Sequence, residues 1–124
     1  MTGWRTDELG KIEAADELEI ASLRSDGTLG SPRTIWVVRV DDDLFVRSVN
    51  GRTSDWFRGT QRRHEGQIRA GGVEKDVAFV DVEGEMEGRI DEAYREKYRR
   101  YAKSIVESTL TPEARSAALK LVPR

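Results

Sequence analysis

Residues 34–63 read TIWVVRVDDDLFVRSVNGRTSDWFRGTQRR: two apolar runs around three aspartates, then a polar turn and a basic segment. In an extended chain successive side chains alternate in direction. Ile35, Val37 and Arg39 therefore face one way along the first run, and Thr34, Trp36, Val38 and Val40 the other. Both faces are largely apolar, so a strand over residues 34–40 must be covered on both sides. The second run, 44–49, sets Leu44, Val46 and Ser48 against Phe45, Arg47 and Val49. Asp41, Asp42 and Asp43 between the runs suit a short hairpin loop. Asn50-Gly51 then permits a sharp change of direction, and Ser54 or Asp55 caps a helix beginning near Trp56.

Upstream, Thr6 reads as the N-cap of a short helix, with Asp7 and Glu8 at the positive end of its dipole and Leu9 and Ile12 as its apolar stripe. Residues 16–23 alternate as a first strand, and 24–33 form a loop with two glycines and a proline. Downstream, 65–70 is a short strand, Gly71-Gly72 a tight turn and 73–82 a long strand. Residues 83–88 make a polar connection. Ile90, Tyr94, Tyr98, Tyr101 and Ile105 recur at helical spacing, which marks a packing face. Thr111-Pro112 opens a last helix whose packing face is Ala114, Ala117, Ala118 and Leu121. Neither repeats nor linkers interrupt the pattern, so residues 1–124 read as one α+β domain.

At 124 residues the chain can bury a core, yet it is small enough for a dimer interface to help. Two strands with apolar residues on both faces, 34–40 and 73–82, predict that a second copy covers the outside as a homodimer. No apolar run reaches membrane-spanning length and the first residues lack a signal peptide's apolar centre, so a cytoplasmic protein with no membrane partner is expected. Cysteine is absent, which removes disulfides and thiolate chemistry. The single histidine, His64, excludes histidine metal clusters and reads as a surface residue at a helix C-terminus. Asp41 to Asp43 lack the spacing of a calcium loop, so no metal is expected. The formal charge of -2 hides an excess in the middle: from Arg47 to Lys75, seven Lys/Arg stand against three Asp/Glu. A patch of this size suits a phosphate-bearing small molecule better than nucleic acid, which the acidic flanks repel.

The motifs IWVVRV, VRSVNG, DWFRGTQ, RHEGQIRAGG and KDVAFV carry a resemblance across roughly residues 16–82, with a weaker match in the tail. They resemble the small flavin-binding split-barrel proteins, which include pyridoxamine-phosphate-oxidase-like and deazaflavin-dependent nitroreductase-like proteins. More closely, they look like a family of short bacterial proteins of unknown function assigned to that fold. The resemblance implies an antiparallel split β-barrel of about six strands with flanking helices, and a cofactor cleft between two subunits.

Arg47, Ser48, Asn50, Arg52, Trp56 and Arg58 form the one constellation suited to holding a ligand. Arginine forks, a hydroxyl and a helix start can together hold a phosphate. By position in the resembling proteins, Arg47, Ser48 and Arg52 would contact the phosphate of FMN or a deazaflavin. Trp56 follows the glycine loop as the deazaflavin group's tryptophan does, and Thr34 and Trp36 would lie nearer the ring. The competing account pairs Arg47 with a carboxylate such as Asp76 or Asp81. No catalytic side chain is assigned, because in such enzymes the cofactor performs the hydride transfer. The chain departs from the deazaflavin branch, whose richer Lys/Arg and glycine-serine phosphate segment is reduced here to residues 31–33, and from the oxidase branch, which has more basic residues around its phosphate loop than Arg47 and Arg52. Two functions follow. One is a flavin- or deazaflavin-dependent oxidoreductase acting on a small organic molecule; the other is a cofactor-free split barrel that binds a ligand or a protein.

Overall fold

Among the described residues, seven strands in one sheet, every neighbouring pair antiparallel, curl into a nearly closed barrel with helices packed outside it. The computed structural model describes residues 3–82 and 84–124; Glu83, the start of the expected polar connection, lies outside them. In chain order the elements are α1 (Thr6–Ala14), β1 (Glu17–Ser22), β2 (Arg33–Trp36), β3 (Val38–Val40) and β4 (Asp43–Arg47). There follow α2 (Asp55–Arg63), β5 (Glu65–Ala70), β6 (Val73–Asp81), α3 (Glu87–Lys97), α4 (Lys103–Glu107), α5 (Pro112–Ser116) and β7 (Ala118–Pro123). Among the described residues no helix is long and apolar enough to cross a membrane.

The strand order is β2-β1-β5-β6-β7-β4-β3. Its two ends, β2 and β3, are consecutive in the chain and separated only by Val37. The run 34–40 is thus not the single strand its pattern predicts. It breaks at Val37, with Ile35 opposite Leu18 on one side and Val38 opposite Phe45 on the other. At this corner Val37 has left both ladders and its backbone groups need other partners. The Tyr98 hydroxyl accepts the Val37 N–H at 3.1 Å and donates to the Asp16 carbonyl at 2.5 Å. Lys97 Nζ donates to the Val37 carbonyl at 2.7 Å.

Alternation along the strands divides the apolar residues between two cores. Leu18, Ile20, Val37, Leu44, Val46, Ile68, Val77, Phe79, Leu119 and Leu121 fill the barrel with Phe57 of α2, while Leu9 and Ile12 of α1 close one end. Outside the barrel, Val38, Val40 and Phe45 pack against Ile90 and Tyr94 of α3, with Tyr98 and Val106. Both faces are therefore covered over residues 37–40, whereas Thr34 is exposed and Ile35 and Trp36 are half-buried. Over Val38 and Val40 the outer cover is α3 of the same chain.

Helix boundaries follow local chemistry. Helix α1 starts one residue earlier than expected: Arg5 is its N-cap, and Glu8 Oε1 accepts the Arg5 N–H at 2.9 Å. Ser54 precedes α2, and His64 ends it in a left-handed conformation (φ 56°) on the surface. Ile90 and Tyr94 of the stripe lie on α3, which ends at Lys97 with Tyr98 as its C-cap. Tyr101 falls in the following turn and Ile105 on the separate α4. Thr111 caps α5, its hydroxyl accepting the Ala114 N–H at 3.1 Å.

The expected last helix is half wrong. It ends at Ser116, and Ala118 and Leu121 belong to strand β7. The spacing 114, 117, 118, 121 fits a helix, while Leu119 and Leu121 alternating with Lys120 and Val122 fit a strand equally well. Tertiary demand decides: β7 inserts between β4 and β6 and satisfies both, with Leu121 opposite Leu44 and Phe79.

Two predictions concern this framework. A Cβ at Gly66 would collide with the Ala21 carbonyl and stand 2.8 Å from the Phe79 ring. Gly66→Ala is expected to cost about 3 kcal/mol in denaturant unfolding, at the upper end of overpacking penalties. At the corner, burial pulls the Lys97 pKa down to about 8, against the opposing pull of Asp16 and Glu13. Above about 8 the folded state binds fewer protons than the unfolded chain, so wild-type stability rises with pH up to the ordinary lysine range. Relative to Lys97→Met, the wild type should gain stability between pH 8 and 10, measured by unfolding at each pH.

Candidate functional site

Beside the barrel corner the outer core is incomplete and leaves a cleft of about 300 Å³. One wall is β2, with Thr34, Ile35 and Trp36; Ser48, Val49 and Asn50 after β4 form another. Trp56 at the start of α2, Tyr94 of α3, and Ile105, Ser108 and Thr109 complete the lining, with Arg47 beneath. The volume sits at the lower end of small-molecule sites. Trp36 is fixed in place by stacking on Tyr98, with ring centroids 3.7 Å apart and planes 3° from parallel.

Six of the eight sequence-chosen residues therefore converge here: Thr34, Trp36, Arg47, Ser48, Asn50 and Trp56. Thr34 and Asn50 are exposed, Trp36 and Trp56 half-buried, and Ser48 fully buried. The Ser48 and Ser54 hydroxyls are 2.7 Å apart, a bond that ties the end of β4 to the start of α2. Arg52 and Arg58 do not line the cleft. Arg52 turns to the Ser116 carbonyl (2.9 Å) and lies over the Phe57 ring, 5.0 Å from its centroid. The two arginines expected to bracket one anion pocket thus point to different surroundings.

Arg47 is 3% exposed and Asp91 5%. Arg47 Nη1 donates to Asp91 Oδ1 at 2.6 Å and to the Thr109 carbonyl at 2.9 Å, and Nη2 donates to the Glu87 carbonyl at 3.2 Å. Arg115 Nη2 reaches the other Asp91 oxygen at 2.6 Å. The carboxylate facing Arg47 is thus Asp91, while Asp76 and Asp81 accept from Gln67 and Gln61. Burial pulls the Asp91 carboxyl up, but the bonds from Arg115 and Arg47 outweigh it and hold it below the usual carboxylate range.

Among the described residues, two buried side-chain polar atoms have no hydrogen-bond partner: Arg47 Nε and the Tyr94 hydroxyl. Both residues line the cleft. Burial pushes the Tyr94 pKa well above its ordinary value against the pull of the Arg47 charge and of the nearby Arg47 backbone N–H, so the hydroxyl keeps its proton and has no acceptor for it. Sequence reasoning placed Tyr94 only in a packing stripe. Its apolar spacing gave no sign that the hydroxyl would end beneath a cleft.

Flat aromatic walls and unpartnered donors fit the ring of a flavin or deazaflavin. The cationic residue of the lining, Arg47, is already neutralised by Asp91. Other arginines, Arg24, Arg33 and Arg62, border a smaller hollow of about 150 Å³ that also includes Trp56. Among the described residues no group of three or more His, Asp or Glu side chains could hold a metal ion.

Residues 8–121 match a family described as "Uncharacterized protein conserved in bacteria (DUF2255)". No curated protein matches the chain. Among solved structures it is similar to a conserved hypothetical protein, Rv2991 from Mycobacterium tuberculosis, with 13% identity and TM-score 0.65, covering 99% of this chain and 81% of that one. It is also similar to an F420 reductase, with 14% identity and TM-score 0.60, covering 93% and 90%. HutZ, the heme storage protein from Vibrio cholerae, follows with 12% identity and TM-score 0.64, covering 93% and 86%. At these identities the likeness concerns the fold.

Removing one partner of the buried pair leaves the other charge uncompensated. Asp91→Ala is expected to destabilise the chain by about 3–5 kcal/mol in denaturant unfolding. The double replacement Arg47→Met with Asp91→Leu should cost less than Asp91→Ala, because no fully buried charge is then stranded and Arg115, which also loses Asp91, reaches solvent.

Proposed function

The chain belongs to this bacterial DUF2255 family, and we propose that it holds a flavin or deazaflavin in the Trp36–Trp56 cleft and acts as an oxidoreductase on a small organic molecule. The observation that carries this reading is convergence. Residues 34–36, 47–50 and 56, carried by β2, the end of β4 with its following turn, and the start of α2, line one aromatic-walled cleft. A barrel of the same fold occurs in an F420 reductase, which supports the reading by analogy.

When bound, such a cofactor supplies the hydride transfer, and the protein supplies position and electrostatics. Trp36, locked against Tyr98, offers a rigid flat wall for a ring; Trp56 offers a second aromatic surface. Ser48, Asn50 and Thr34 place polar groups along the lining, where a ribityl chain or ring edge would meet them. Arg47, its charge compensated by Asp91, is held in place behind the cleft.

The cleft is open on one side, and its lining includes Val49 and Ile105, which are 45% and 48% exposed. We propose that a second copy covers these apolar residues, giving a homodimer with the cleft at its interface.

The cofactor-free alternative is favoured by one observation: the Asp91–Arg47 pair leaves no free cation in the lining for a cofactor phosphate.

Titration of the protein with FMN and with a deazaflavin, read by ligand absorption and tryptophan quenching, separates these readings. Saturable binding is expected, and Trp56→Ala should weaken it about tenfold, the value of one well-placed aromatic contact. Absence of binding by either ligand would leave only the cofactor-free module. Light scattering at micromolar concentration should return a dimer.

A further inference from the structure

Polar atoms sealed away from water without a partner are costly, and a chain keeps few of them. Here two, Arg47 Nε and the Tyr94 hydroxyl, belong to residues lining the same cleft. The Arg47 guanidinium stands 5.6 Å from the centre of the Tyr94 ring, so the two donors belong to one small region. The remaining nitrogens of Arg47 are spent on Asp91 and on the Thr109 and Glu87 carbonyls. The two unpartnered donors are thus hydrogen-bonding capacity left unused beneath the cleft residues, beside a guanidinium whose charge Asp91 compensates.

We propose that Tyr94 and Arg47 recognise the uncharged acceptor edge of a planar heterocycle, such as a ring carbonyl, and that this cleft does not select for a phosphate. The inference rests on the cofactor reading above and specifies which part of the ligand the cleft reads. Neither donor touches water in the free chain, so the entering edge must displace the side chains over them. Docking then supplies the hydrogen bonds that the fold leaves unmade. Tyr94 is the sharper of the two for a test, because Arg47 also holds the structure together.

The experiment compares ligands that differ only in phosphate: riboflavin against FMN, and a phosphate-free deazaflavin against its phosphorylated form, with inorganic phosphate as competitor. Within each pair affinities should agree within about twofold, and phosphate should not compete. Tyr94→Phe should melt at the same or a higher temperature than wild type, since it removes an unsatisfied group, while riboflavin affinity falls about fivefold. A purely structural hydroxyl would give the reverse, a lower melting temperature with unchanged affinity, and would overturn the assignment. A tenfold preference for FMN, or displacement by phosphate, would overturn it while leaving the cofactor reading intact, and would point to Arg24, Arg33 and Arg62 beyond Trp56. Failure of every ring compound to bind would remove both.

Discussion

The barrel depends on what happens at Val37. A sheet whose first and last strands are consecutive in sequence must turn a corner within one residue, and that residue forfeits its ladder hydrogen bonds. Val37 is fully buried, so water cannot replace them. Tyr98 and Lys97 supply the missing partners from the end of α3, and Tyr98 also ties the corner to Asp16 before β1. The price is a lysine whose charged form is disfavoured by burial. The same tyrosine stacks on Trp36. Barrel closure and the stiff wall of the cleft thus share one anchor.

The second constraint is the buried Arg47–Asp91 pair. It joins β4 to α3 and, through Arg115, to α5, across the region where the outer core is incomplete. Burying two charges contributes little net stability, although losing one is severe. The pair's clearer consequence is for the cleft. It keeps a guanidinium beside the cleft with Asp91 as its counter-ion.

Much of this could be read in the residues. Alternation gave β1, β4, β5 and β6 within a residue or two. The basic face of α2 and the Thr111-Pro112 start of α5 follow from local chemistry, which is the same in an isolated segment and in the fold. Six of the eight candidate residues meet because the strand, turn and helix start that carry them are neighbours through short connections. Arg52 and Arg58 escaped the cleft because direction along a 3-10 turn and a helix depends on packing. Arg52 sits in the turn Gly51–Thr53 and leans on Phe57 and the Ser116 carbonyl.

The sequence by itself determined an antiparallel α+β domain, the hairpin at the three aspartates, and a tryptophan-rich stretch as the place to look for a ligand. These are local properties: period, turn chemistry and helix caps. Tertiary structure alone decided that residues 34–40 split at Val37, that 118–123 form a strand, that Asp91 meets Arg47, and that the Tyr94 hydroxyl ends beneath the cleft. Each of these joins segments distant in sequence, from Val37 with Tyr98 to β7 between β4 and β6. Each is settled by which buried polar groups and open strand edges remain to be satisfied once the barrel closes, a demand that no single segment expresses.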